Sequence, residues 1–293
     1  MDGFLCVNKP LGMTSSDVVV RIRKRLARGV RVGHGGTLDP DASGVLPICI
    51  GGATRLFDYI IDKEKTYIAT LRLGITTDTQ DATGAVIETR AVVAGADEIR
   101  RALPAFIGEI EQIPPMYSAI KRDGKRLYQL ARKGETIEVA PRKCRVDAIE
   151  LIEEMGGDSY RLRVVCGKGV YIRTLCHDIG AQLGCGGHMA ALTRVGAGAF
   201  RIEDAHTPDE ICALADAGEL SSALLPMDYP LAHIPAVHVG DAHMHAVKNG
   251  NPLKPEWLDA PAPEGIVRVY VGGRFCGIGQ LSPAGVRFRA MLL

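Results

Sequence analysis

Aromatic side chains are scarce in this sequence: they make up 5 % of it, with a single tryptophan. A site that grips a flat ligand between rings must draw on a handful of tyrosines. Long apolar runs are missing as well. A membrane-spanning helix needs roughly 20 apolar residues, and the longest oily stretches, such as residues 45–50, are strand-sized. No membrane association is expected. The first residues carry neither the basic nor the apolar part of a secretion leader, so a soluble, cytoplasmic protein is expected. The eight cysteines include no Cys-x-x-Cys pair. That argues against a disulfide scaffold and for reduced, buried thiols.

Net charge is also nearly absent, at +1, yet its parts are segregated. Residues 21–31 hold Arg21, Arg23, Lys24, Arg25, Arg28 and Arg31 and no acid, and residues 121–145 carry nine bases against three acids. Balance returns in residues 203–228, where seven acids meet no lysine or arginine. Each run alone is ordinary for a solvated helix face. Two basic runs together point towards a phosphate backbone as partner.

With 46 % apolar residues, the chain has material for a substantial core and a smaller second domain. Alternation and apolar runs predict strands at residues 4–7, 45–50, 66–73 and 160–166. Helical spacing of Val18, Val19, Ile22 and Leu26 predicts a helix over 17–28, capped by Ser15 or Ser16 and stopped by Gly29. Further helices are expected at 97–107 (capped by Asp97), 126–132, 174–183 and 241–248, with loops at 31–39 and 76–84. No repeating βαβ period is present, which favours an α+β fold. A boundary is expected near His233-Ile234-Pro235, dividing residues 1–233 from 234–293. In the second part Gly272-Gly273 signals a tight hairpin, and short strands with turns suggest a small β-barrel.

The densest chemical feature is Gly33-His34-Gly35-Gly36-Thr37-Leu38-Asp39-Pro40. Its glycines let a backbone turn tightly and approach a bulky ligand. They could also cradle phosphate, but no P-loop lysine follows, so a Walker reading fails. Asp-Pro and a lone histidine are each more often structural than catalytic.

The whole stretch VGHGGTLDPDASGVLPICIG, residues 32–51, resembles the catalytic motif of the TruB family of tRNA pseudouridine synthases, bacterial type. Further matches follow in the family's order: VNKPLGMTSSDVV (7–19), Lys65-Thr66-Tyr67 leading to LGITTDTQDATG (73–84), PPMYSAIKRDGKRLYQLARKG (114–134) and CGKGVYIRTLCHDIGAQLGCGGHM (166–189). Gly35 stands where the family often has threonine, and Asp41 where an apolar or basic residue is common.

The resemblance implies a mixed, largely antiparallel sheet with flanking helices. It implies cofactor-free, metal-free isomerisation of uridine to pseudouridine in the T loop of tRNA, at position 55. The base leaves the RNA stack, its glycosidic bond breaks, and it rejoins through carbon. By position in the motif, Asp39 is the catalytic carboxylate, as nucleophile or as acid-base group. Arg173 is its ion-pair partner and a source of a bidentate contact. Tyr67 stacks on the base and serves in proton transfer, while Tyr171 and Leu192 contact substrate. His34 fills the space the base vacates, and Lys9 supports the pocket. Residues 114–142 correspond to an RNA-clasping insertion, and 234–293 to a PUA-like RNA-binding domain. A monomer acting on the tRNA T arm is expected.

Three rivals compete with this reading. Cys176, His177, Cys185 and His188 could be arranged around zinc, but lack a second clean ligand pair. A pure RNA-binding protein fits the charge map, though it has no need of a carboxylate facing RNA. A guide-RNA-dependent synthase is disfavoured by the absence of basic tails.

Overall fold

The computed structural model describes residues 1–61, 63–115, 121–122, 125–126 and 139–293. β1 (Gly3–Lys9) leads through Gly12 into α1 (Ser15–Arg23), the short β2 (Val32–His34) and β3 (Ala42–Ile50). α2 (Phe57–Ile61) precedes β4 (Lys65–Leu73) and the hairpin of β5 (Ile75–Thr77) and β6 (Val86–Thr89). Next come α3 (Ala96–Ala102), β7 (Gly108–Gln112) and the two-residue strands β8 (Lys121–Arg122) and β9 (Lys125–Arg126). A long hairpin of β10 (Arg142–Gly156) and β11 (Ser159–Cys166) is followed by α4 (Ile172–Gln182), β12 (Gly187–Ala197), β13 (Phe200–Arg201) and α5 (Pro208–Asp216). The C-terminal part holds β14 (Ala236–Val239), α6 (Met244–Lys248), β15 (Gly265–Val271), β16 (Arg274–Ser282) and β17 (Gly285–Met291).

Nine strands form one sheet, ordered β1-β3-β12-β4-β11-β10-β7, with β2 on β3 and β13 on β12. Its pairs are antiparallel except β12 with β3, where Leu192, Thr193 and Arg194 run parallel to Ala42, Ser43 and Gly44. This is the α+β architecture with a mixed sheet. β3 shows why the apolar run at 45–50 lacks alternation: both faces of the strand are covered. Val45 and Cys49 join Phe4, Cys6 and Phe200 on one side. Leu46, Ile48 and Ile50 meet Leu5, Val7, Val18 and Ile22 on the other, packing α1 against the sheet. A third cluster unites β4, β11, α3 and α4 around Leu71, Ile99, Leu162, Leu175 and Ile179.

Several local details differ from the sequence expectation. The cap of α1 is Thr14, not Ser15 or Ser16: Thr14 and Asp17 form a reciprocal capping box. That helix ends at Arg23 rather than residue 28, where like charges at Arg21/Arg25 and Lys24/Arg28 oppose a regular continuation. Gly95, not Asp97, caps α3, with Glu98 reaching back to its amide, and Pro104 turns the end of that helix into a 3₁₀ segment. The loop expected at 31–39 contains the short β2, and β5 runs into the start of the one expected at 76–84. The helix expected at 126–132 and most of the clasping insertion lie outside the described residues.

Beyond residue 235 a separate four-stranded sheet runs in the order β14-β15-β16-β17. Gly272 and Gly273 both take positive φ, 56° and 76°, at the hairpin between β15 and β16, as the mirror-image turn requires. This sheet does not stand apart. Ile278 is buried in the same cluster as Phe4, Phe200 and Leu231, with Phe275, Ala290 and Leu292 packed against it. Tyr270 donates its hydroxyl to Asp228 at 2.6 Å, and Arg268 bonds the carbonyl of Ile234 at 2.9 Å.

Candidate active site

The segment between β2 and β3 leaves the sheet edge, turns through Gly35 and Gly36, and returns at Ala42. Its backbone carbonyls are held one by one. Arg194 donates to Gly36 O and Thr37 O, Ser15 Oγ to Leu38 O at 3.1 Å, and the Ala42 amide to Asp39 O at 3.1 Å. Pro40 O receives the Gly12 amide at 2.8 Å and the Lys9 ammonium at 3.4 Å. Ser15 Oγ also accepts the Leu38 amide at 2.9 Å. A turn with its carbonyls so fully paired holds its side chains in fixed directions.

From this turn Asp39 projects with its side chain 46 % exposed, next to the deeply buried Arg173. Arg173 Nη2 lies 3.1 Å from Asp39 Oδ2, and Nη1 lies 3.2 Å from Asp81 Oδ2. The guanidinium therefore spans two carboxylates instead of forking onto Asp39 alone. Asp81 is fixed in turn: its Oδ1 accepts from Thr79 Oγ1 at 2.7 Å, Thr83 Oγ1 at 2.6 Å and the Thr83 amide at 3.0 Å. One carboxylate is saturated and internal, the other open to a ligand.

Arg173 sits in the first turn of α4, two residues after Tyr171, which caps that helix. Gln112 clamps the Tyr171 backbone, its Oε1 accepting the amide at 2.9 Å and its Nε2 donating to the carbonyl at 3.2 Å. Tyr67, on β4, lies directly across from Arg194 on β12. Leu192, two residues earlier on β12, shares that face of the sheet. Tyr67 packs against the cluster that contains Leu38, Ile172 and Leu192. Burial pushes its hydroxyl pKa up, opposed by the nearby Arg194. His34, half-buried on β2, has an Nδ1 without a hydrogen-bond partner among the described residues. Burial first, and Arg194 second, lower its pKa and favour the neutral ring. Lys9 is completely buried at the end of β1, with its ammonium on Pro10 O at 2.9 Å and Met13 O at 2.7 Å. Burial lowers its pKa to about 8, partly countered by Asp39 and Asp41.

Asp39, Arg173, Tyr67, Leu192, Lys9 and His34 thus gather around the turn, and Tyr171 stands beside Arg173. Sequence reasoning assigned no role to Asp81, Arg194 or Gln112, and read Ser15 only as a helix cap. Asp81 had a local signal, since Thr79 and Thr83 flank it at two residues on either side, a pattern suited to bonding a carboxylate. Arg194 had none, because its partners are carbonyls far away in sequence. Gly35 also gains a reason: a Cβ there would stand 2.7 Å from Ile60 Cδ1, so threonine would require Ile60 to move. Two residues of the zinc alternative serve other ends. Cys176 is packed in the core with its thiol pKa pushed up to about 12, and His188 Nδ1 meets Ile75 O at 2.9 Å.

An open carboxylate beside a buried guanidinium, faced by a tyrosine and a leucine, suits a reaction on an extruded nucleoside. Family comparison agrees. Residues 24–172 match the model for the TruB family pseudouridylate synthase N-terminal domain. Residues 173–232 match the tRNA pseudouridylate synthase B C-terminal domain, and 235–286 a further C-terminal model, pseudouridine synthase II TruB. The chain belongs to the TruB family.

Among TruB relatives, the tRNA pseudouridine synthase B of Alkaliphilus oremlandii is 48 % identical over 282 residues, covering 95 % of this chain and 93 % of that protein. The enzyme of the same name from Thiobacillus denitrificans is 44 % identical over 281 residues, covering 96 % and 92 %. Solved structures extend the likeness. An H/ACA RNP bound to a substrate RNA containing 2'-deoxyuridine matches with a TM-score of 0.77 at 26 % identity, covering 99 % of this chain and 85 % of that one. A Cbf5-Nop10-Gar1 complex matches with a TM-score of 0.76 at 28 % identity and the same coverage.

Proposed function

We propose that this TruB-family protein converts uridine to pseudouridine in tRNA, at position 55 of the T loop, with Asp39 as the catalytic carboxylate. The observation that carries the assignment of Asp39 is the shared guanidinium. Arg173 is anchored from behind by the saturated Asp81, which leaves its Nη2 to orient Asp39 towards the open side of the turn. Charge-assisted contacts of this kind fix a carboxylate more firmly than neutral ones.

In this reading the uridine enters unstacked, and unstacking costs about a few kcal/mol. Tyr67 and Leu192 offer one continuous surface on the sheet face for the base, and Tyr171 offers another from the start of α4. His34, neutral and half-buried beside the turn, occupies the direction from which the base came. The Asp39 carboxylate then reaches the sugar or the base as the N1–C1′ bond breaks, the base turns and its C5 bonds to C1′, and the proton that C5 gives up through Tyr67 is matched by one gained at N1. Residues 114–142 act as an RNA clasp, and residues 234–293 as an RNA-binding domain of PUA type, working as one chain on the T arm in the cytoplasm. Clasp and C-terminal domain rest on the basic stretch and the TruB resemblance.

Incubation with an unmodified tRNA transcript, without nucleotide or added metal, tests the proposal. Mapping by carbodiimide modification and primer extension is expected to place a single pseudouridine in the T loop. Product at another position would overturn the substrate while leaving the chemistry intact, and no product would overturn both.

A further inference from the structure

We infer that Arg194 is a positioning residue for the isomerisation, linking the catalytic turn to Tyr67 through one guanidinium. This inference rests on the reading of Asp39 and Tyr67 given above.

Arg194 is 2 % exposed and heads the fully buried side chains by volume. A cation taken out of water costs several kcal/mol unless its surroundings replace the lost hydration. Among the described residues its hydrogen-bond acceptors are carbonyl dipoles, not a carboxylate: Nε donates to Val45 O at 2.7 Å, Nη1 to Thr37 O at 3.3 Å and Nη2 to Gly36 O at 3.2 Å. A residue needed only to fill this space would be better met by an apolar side chain of similar volume. The planar fork suits another task, because one rigid group donates to two successive carbonyls of the turn and to one of β3.

The sheet register supplies the second half of the argument. Arg194 pairs with Gly44 on β3 and, on its other side, with Tyr67 on β4. Directly opposed residues of an antiparallel pair share a face. The guanidinium therefore stands between the Tyr67 ring and the segment that carries Asp39. Gly44, at φ 107°, leaves room for the close approach of the two backbones there, since any Cβ would strike the Arg194 carbonyl. The charge also reaches the Tyr67 hydroxyl, where it opposes the effect of burial. One side chain thus fixes the distance between the carboxylate turn and the tyrosine that face the same nucleoside. Asp39 lies two residues beyond the last carbonyl it grips, so a small displacement of that carbonyl is passed to the reacting group.

The test uses the full-length protein, an unmodified tRNA transcript and three measurements: the single-turnover rate at saturating enzyme, the tRNA Kd, and thermal unfolding. Arg194→Met is expected to lower the rate by roughly 100-fold, the scale of a misplaced reacting group. Its Kd should stay within about threefold, since the loss is in the chemical step. Arg194→Lys keeps the charge but not the fork, and should recover part of the rate, to within roughly tenfold of the parent. Parental rates in Arg194→Met, or a loss confined to Kd, would overturn the role. Should Arg194→Met fail to fold, Arg194→Lys decides: a parental rate in that variant shows that the fork is dispensable. Faster amide exchange confined to residues 36–39 of Arg194→Lys, with β4 and β12 unchanged, is the expected companion result. The parent serves as control, because a parent that forms no pseudouridine refutes the proposed function and not this inference.

Discussion

Arg173 and Asp81 form an ion pair at 3.2 Å beneath the surface, and the same guanidinium meets Asp39 at 3.1 Å on its open side. The two carboxylates differ in surroundings. Three donors from Thr79 and Thr83 saturate one oxygen of Asp81, while the Asp39 side chain is nearly half exposed. Asp81→Asn should keep the local bonds but weaken the hold on Arg173. A roughly tenfold or greater fall in single-turnover rate, at unchanged tRNA affinity, is expected from the loosened geometry. A parental rate would show that Arg173 needs no rear anchor.

Asp39→Asn keeps size and shape at a half-exposed position. It should unfold at the parental temperature and bind tRNA as the parent does, while forming no detectable pseudouridine. Gel-shift and product mapping on the same preparation check this. Full conversion by the variant would remove Asp39 from the chemistry and, with it, the contrast to a pure RNA binder.

Lys9 makes a prediction about pH. Its pKa falls from 10.5 unfolded to about 8 folded, chiefly through burial. Between those values the unfolded chain holds more protons, so stability rises with pH across that window. Below about pH 8 the penalty of burying the charge is fully present, and above 10.5 it is gone. The span corresponds to something on the order of 3 kcal/mol. Chemical denaturation of the parent and of Lys9→Met at about pH 7.5 and about pH 10 should show the difference between the two proteins changing in the parent's favour at the higher pH. A constant difference would mean that Lys9 does not titrate in this window.

Gly44→Ala probes the meeting of β3 and β12. The position combines φ 107° with direct opposition to the Arg194 carbonyl. Strain and overlap together predict a loss of more than about 3 kcal/mol. Urea unfolding measures it, and a loss under about 1 kcal/mol would show that the strands can separate there without penalty.

Much of this architecture was legible in the sequence because it is local. Strand β4 shows in the alternation of 66–73, and the C-terminal hairpin in Gly272-Gly273. The turn bearing Asp39 was recognisable as a motif. What escaped were contacts between distant segments. Ser15 reads as a helix cap, yet its hydroxyl is spent on both polar groups of the Leu38 backbone. Gln112 reads as an ordinary strand residue, yet it clamps Tyr171. Arg173 was expected to fork onto one carboxylate, and the second one became visible only when the 76–84 segment was folded beside it. Local propensity speaks of neighbours in the chain and is silent on neighbours in space.

The shared cluster of Ile278, Phe4 and Phe200 has a practical consequence for anyone dividing the molecule. A chain cut near Pro235 would lose a wall of its interior, not an appendage: oily surface around Phe4 and Leu231 would be laid open to water, and the Asp228 carboxylate would lose its tyrosine. Deletion studies of RNA affinity would then report unfolding together with lost contacts. Point changes on the outer face of the second sheet keep the two effects separate.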